Sequence, residues 1–370
     1  MGINIYETFF METALKEMPK VYTFVKDRYF GGAPTIFKTE KVVVDYDDGE
    51  GNMMAPFVIP RVGAVPMKRS GYNTYELVPP YIAPSRPLSI DDLTKRMAGE
   101  SIVSTLTPEQ RERQFLLDDM EFLDRAITRR EEWMCVNTML DNSCTMHHIG
   151  DKENKPKDLT AQYYDGNENP GVFQQSAAWD IGTANKRGTW YKDVAAQAAS
   201  LIDAGRNVTD LIVGSEVAEM ILSDPWVHAM LDNRRIEIGE VDPQWQPNGV
   251  IRIGRLNFGG VALDIFSYRG TYQEINEDGK LETKNYFPTK GALLAAPNTG
   301  KLRYGAVTQV EMDQNTHTRT GTRVPKHNVD SVHNQKEVIL TARPIAAPIM
   351  KSPWRACRDV MSAPTTEDEP

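Results

Sequence analysis

The sequence predicts an α+β fold with a long extended arm, the build of a subunit that completes its packing in an oligomer. Three observations carry this reading. The stretch "FKTEKVVVDYDDGEGNMMAPFVIPRVGAVPMKRSGYNTYELVPPYIAP", residues 37–84, joins strand-like runs and an acidic turn to a basic passage broken by Gly and Pro. A capped helical stripe of unusual length begins at Thr107. Beyond residue 250, strand-like runs follow one another with tight turns between them.

The elements follow in order. Residues 1–38 hold a short amphipathic piece and then "PKVYTFVKDRYFGGAPTIF", closed by Gly31, Gly32 and Pro34. Val42, Val43 and Val44 are a β-branched run, and "DDGEGN" is turn chemistry. "MMAPFVIP" reads as a second extended run, and over residues 61–78 the apolar positions hold no steady period. Prolines recur up to Pro87, which suits edge strands or an excursion.

At "TPEQ", Thr107 is the N-cap, Pro108 the first helical residue and Gln110 the third. An apolar stripe then runs through Leu116, Met120, Leu123, Ile127 and Met134 to "DNSC", with supporting pairs Glu109–Arg113 and Glu121–Arg125. At 1.5 Å per residue the helix spans about 50 Å. One end should therefore run past its local core.

"HHIGDKENKPKD" is a polar loop or hairpin, and residues 160–188 are rich in loop. "DVAAQAASLIDAG" is helical and capped by Gly205, "DLIVGS" is a buried strand, and "SEVAEMILSDPWVHAMLDN" is two helices broken at Pro225. "VIRIGRL", "VALDIFS", "TYQEI" and "KLETKNY" are strands, the last two joined by "NEDG", and "GALLAAP" is another. Two more are expected after Gly300, one in "RYGAVTQVEM" and one in "KEVILTARPIA"; "SAPTTEDEP" is an acidic tail.

Composition narrows the function. A chain of 370 residues, 40% hydrophobic and 25% charged, can bury a sizeable core. Its net charge of −9 argues against tight binding of free nucleic acid, which needs clustered Lys and Arg. No apolar run approaches the roughly 20 residues that span a bilayer. Met1 leads into acidic sequence rather than a basic leader, so no signal peptide is expected. The three cysteines, Cys135, Cys144 and Cys357, lack CxxC spacing and read as buried thiols.

Catalytic signatures are missing from the sequence. Ala295 stands where the first Gly of a phosphate loop would be, and neither GxSxG nor HExxH occurs. Counting "DYDDGEGN" from Asp45 as a calcium loop puts Pro56 at the closing Glu position, which excludes an EF-hand. His147 and His148 are adjacent and cannot ligate from one face; His317, His327 and His333 lack zinc spacing. No catalytic residue, cofactor or metal is expected. One charge contrast remains: Asp45, Asp47, Asp48 and Glu50 in the turn, against Arg61, Lys68 and Arg69 just after it. It reads either as two solvated faces or as complementary contact between copies of the chain.

The order of parts resembles the major capsid proteins of tailed bacteriophages with the Hong Kong 97-type fold, closest to the lambda-like capsid protein E family. The resemblance rests on "FVKDRYF", "FKTEKVVVDYDDG" and "MAPFVIPRVGAVPMKRSGYNTYELVPPYIAP", and again on "YQEINEDGKLETKNYFPTKGALLAAPNTGKLRYGAV". It implies an N-terminal arm at 1–38 and an E-loop with flanking extended chain at 39–98. A P domain would cover 99–188 with its spine helix at about 107–141, an A domain 189–300, P-domain return strands 301–358 and a tail 359–370. In that family the E-loop is a β-hairpin that reaches over a neighbouring subunit.

The function so implied is a structural protein that self-assembles into pentamers and hexamers of an icosahedral head around double-stranded DNA. An encapsulin-like compartment shell is the alternative with the same fold. The resemblance further implies scaffolding, portal and decoration proteins as partners, weak contact with packaged DNA, no membrane, and assembly in the host cytoplasm. Lys68 is the only lysine near the loop tip, and no covalent crosslink is expected from it.

Overall fold

Thr107 fixes the start of the longest element. In a computed structural model of the chain, its hydroxyl accepts from the Gln110 amide at 3.3 Å while the Gln110 side chain accepts from the Thr107 amide at 3.0 Å. This reciprocal cap opens a helix at Pro108–Asp141, and Asn142, in the left-handed region at φ 50°, ends it. The described residues are 8–18, 23–47, 54–55, 57–58, 72–89, 107–148, 157–166, 168–231, 239–246, 249–275, 280–311, 314–330 and 335–363. Among them are two helices before the long one, α1 (Thr8–Glu17) and α2 (Val25–Tyr29), so the long helix is α3. After it come α4 (Thr189–Asp203), α5 (Ser215–Ser223) and α6 (Pro225–Leu231). Gly205 follows α4 at φ 71°, the conformation expected of its cap.

The strands group into small sheets around one large one. Before α3 lie β1 (Thr35–Ile36), β2 (Val42–Asp47), β3 (Tyr72–Leu77) and β4 (Ser85–Ser89). A hairpin of β5 (Ser143–His148) and β6 (Lys157–Gln162) follows α3. The large sheet takes β7 (Asp210–Val213), β8 (Gly239–Gln246), β9 (Val250–Phe258), β10 (Val261–Tyr268) and β13 (Ala292–Ala295). β11 (Thr271–Ile275) and β12 (Leu281–Asn285) form a separate ribbon between β10 and β13. Then come β14 (Gly300–Tyr304), β15 (Val307–Val310), β16 (Thr316–Arg319), β17 (Val324–Asp330), β18 (Gln335–Thr341), β19 (Pro344–Pro348) and β20 (Arg355–Cys357).

The large sheet has the order β20-β13-β7-β10-β9-β8, with β7 and β10 parallel and the remaining neighbours antiparallel. Its faces alternate residue by residue. Leu211, Val213, Ile265, Ala292 and Leu294 face one core together with α4, α5 and α6. Ile212, Phe266, Leu293 and Ala295 face another, shared with α2, the C-terminal half of α3 and the base of the β2–β3 hairpin. Both faces are covered, which is why β7 is apolar throughout from Leu211 to Val213. A third core lies at the N-terminal half of α3, where Leu116, Met120, Leu123 and Ile127 meet Met11 of α1 and Val338 and Leu340 of β18. The described side chains of residues 109–115 of α3 are not buried, so that end does run beyond its core.

Three expectations need correction, and the fold decides one pairing. β2 pairs with β3, in register Val42↔Leu77 to Asp47↔Tyr72, while the described residues of the extended run "MMAPFVIP" form no strand. Pro56 and Pro60 take amide donors out of that run. Residues 72–77, read as aperiodic, are a regular strand whose Tyr75 and Leu77 pack against the chain's own core. "RYGAVTQVEM" holds parts of two strands, β14 and β15, because the chain leaves one sheet at Gly305. "KEVILTARPIA" likewise divides into β18 and β19, in different sheets, at Ala342–Arg343. β4 lies at the edge of the β17-β18-β4 sheet, where its proline is tolerated.

Candidate assembly interface

The hairpin at residues 42–77 has one face on its own core and one in solvent. Val42 and Val44 are fully buried, and their cross-strand partners Leu77 and Tyr75 pack beside them. The other face carries the exposed Val43 and a Lys41–Glu76 ion pair at 3.1 Å. Past the strands, Met54 and Phe57 are 85% and 102% exposed. Two large apolar side chains so exposed within four residues are open to contact with another molecule. Asp45 and Asp47 lie on β2, opposite Thr74 and Tyr72. Asp48, Glu50, Arg61, Lys68 and Arg69 lie outside the described residues, so their pairing with the acidic turn stays an expectation.

The N-terminal segment is held by a buried charge network that sequence reading missed. Glu131 of α3, fully buried, accepts from Lys26 at 2.7 Å, from Tyr304 at 2.9 Å and from Arg323 at 2.6 and 3.1 Å. Arg323 also reaches Asp124 at 2.6 Å. Burial by itself would raise the Glu131 carboxyl; Arg323 and then Lys26 outweigh it and hold the pKa at about 2. Its neighbour Glu132 accepts the amides of Val25 and Lys26 at 2.9 and 2.8 Å and the Tyr268 hydroxyl at 2.8 Å. Glu132 thereby caps α2 from another helix, although burial still pushes its pKa up. Arg28 clamps Asp210 of β7 at 2.6 and 3.1 Å, and Tyr29 donates to the same carboxylate at 2.8 Å. One signal was present in the sequence: Glu131 stands four residues after Ile127, on a position where the apolar stripe calls for an apolar residue.

The remaining reactive groups are built into the structure. His147 pairs with Asp158 at 2.7 Å across the β5–β6 hairpin. Burial pushes the Cys135 thiol up, and the Cys144 thiol to about 12, so both stay protonated at neutral pH. Trp179, Trp190, Trp226 and Trp354 are buried as core anchors. Among the described residues no group of three His, Cys, Asp or Glu side chains could hold a metal ion.

A molecule with exposed apolar chain beyond its own core, and cores placed to fix that chain's base, is suited to repeated contact with copies of itself. Known proteins agree with that reading. The family model "Phage major capsid protein E" matches residues 11–351. The chain is 28% identical over 321 residues to the major capsid protein of Enterobacteria phage phi80, covering 86% of this chain and 87% of that one. It is 23% identical over 321 residues to the major capsid protein of Escherichia phage lambda, covering 85% and 86%. A crystal structure described as the candidate capsid protein of a prophage of E. coli CFT073 superposes with a TM-score of 0.60 at 17% identity, over 97% of this chain and 99% of that one. The chain belongs to the phage major capsid protein E family.

Proposed function

We propose that this chain is the repeating subunit of an icosahedral phage head, assembling as pentamers and hexamers that enclose double-stranded DNA. The observation that carries this is the excursion after β2, whose Met54 and Phe57 face solvent while the base of the same hairpin is buried in its own subunit. Residues 39–98 act as the E-loop, 1–38 as the N-terminal arm, and α3 as the spine of a P domain at 99–188 with return strands at 301–358. Residues 189–300 form the A domain. The work of the protein is assembly and not catalysis: weak contacts repeated around a closed symmetry make a stable shell. Scaffolding, portal and decoration proteins are its expected partners in a host cytoplasm. Family membership favours a phage head over an encapsulin-like compartment.

Electron microscopy of the purified chain tests the proposal, with rings of five or six or closed shells expected. A monodisperse monomer at all concentrations would sink it. A second measurement tests the charge contrast. Lys68→Glu with Arg69→Glu should leave the melting curve unchanged and lower shell yield, most at low salt where like charges are least screened. Normal yield from that variant would remove the electrostatic contribution of these two residues.

A further inference from the structure

Arg206 follows the C-terminus of α4 and reaches across to the corner between β19 and β20. It donates to the Lys351 carbonyl at 3.1 Å, and its other amino group touches the Met350 sulfur at 3.1 Å. Arg355, at the start of β20, is half-buried and donates to the Trp354 carbonyl at 3.3 Å. Neither guanidinium has a carboxylate partner among the described residues. Burial, and after it the nearby Arg206 charge, push the Arg355 pKa down. The same corner exposes Ile349 and Met350, at 41% and 45%. Ser352 holds it in a left-handed turn at φ 46° and accepts from Asn142, which caps α3, at 3.2 Å. The patch is therefore fixed in place, doubly cationic and partly apolar. Two cations this close are stabilised by an anion, and exposed apolar neighbours favour a protein partner over bare phosphate.

We infer that this patch of Arg206, Arg355, Ile349 and Met350 is the docking surface for residues 45–57 of a second copy of the chain. This rests on the proposed reading that the excursion after β2 reaches a neighbouring subunit. The chemistry matches in kind and in order: Asp45, Asp47, Asp48 and Glu50 supply carboxylates, and Met54 and Phe57 supply apolar side chains a few residues later. The chain's own Met54 and Phe57 stand in solvent, so they do not occupy their own patch. The acidic turn then meets Arg206 and Arg355, a different partner from the cations of its own excursion.

Crosslinking in assembled particles tests this directly. Light chains carrying p-benzoylphenylalanine in place of Met54, or of Phe57 if the first does not assemble, are mixed with isotope-heavy unmodified chains, assembled and irradiated. Mass spectrometry should find light–heavy peptides that join the probe to residues 202–206 or 349–355. Links to another part of the neighbour overturn the docking surface and leave the arm reading standing; links confined to one chain overturn both. A charge swap provides the second arm. Arg206→Glu should keep the parental melting curve, and shell yield should fall about tenfold, because the like-charge contact repeats at every such interface. Adding Asp47→Lys and Asp48→Lys to the same chain should restore it. Normal assembly of Arg206→Glu, or normal assembly with loss of packaged DNA alone, overturns the inference.

Discussion

Glu131 is the residue that ties α2, α3 and β14 together, through Lys26 and Tyr304. It is wholly buried and gathers Lys26, Arg323 and Tyr304 around one carboxylate. Removing one partner of a buried ion pair leaves the others desolvated and uncompensated, so Glu131→Gln should cost about 3–5 kcal/mol in urea unfolding. The pH dependence has a definite sign. A carboxyl held at about 2 in the folded chain stabilises it fully above its ordinary range and progressively less as pH falls toward about 2. The melting temperature of the parent should therefore drop between pH 5 and pH 3, and the Gln variant should show a shallower slope there. Equal slopes would mean that other carboxylates carry the acid sensitivity.

At the scale of elements, α3 ties two of the three cores together. Its N-terminal half buries Leu116, Met120, Leu123 and Ile127 against α1 and β18. Its C-terminal half buries Met134, Cys135, Met139 and Leu140 in the core under the large sheet. Leu123→Ala and Ile127→Ala should each destabilise by about 2–5 kcal/mol, since both side chains are buried and their neighbours can collapse only partly. Losses below about 0.5 kcal/mol at both positions would contradict the burial. Cap, stripe and C-terminal stop of this helix were all legible in the sequence, because each is a local signal repeated every turn. The β18–β19 break was not. The one local hint was Pro344, which removes an amide donor in mid-run but does not say which sheet each half joins.

For the whole molecule, the proposed reading expects the subunit's stability and its assembly to be separable. β2 and β3 are in register to Asp47↔Tyr72, so an Asn-Gly turn in place of residues 48–71 should close the hairpin without disturbing Val42, Val44 or Leu77. That shortened chain should melt within a few degrees of the parent by circular dichroism and form no shells by electron microscopy. Shells of normal yield would remove the excursion from assembly; an unfolded chain would show that it supports its own core.

The sequence alone determined the α+β class, the long capped helix and the strands β2, β7 and β9 to β13, because periodicity, caps and turn residues act over a few positions. Its resemblance to capsid protein E, carried by ordered motifs, gave the family that the comparison then matched over residues 11–351. Tertiary structure alone decided which strand pairs with β2, that Tyr75 and Leu77 pack on the chain's own core, and that Glu131 and Glu132 are buried acids and not solvated ones. All three depend on groups far apart in the sequence, and the buried acids show it best. A carboxylate in mid-helix is tolerated in the interior only when cations or amide donors distant in sequence arrive beside it. Lys26 lies 105 residues before Glu131 and Arg323 lies 192 after it. Only the folded chain brings them together.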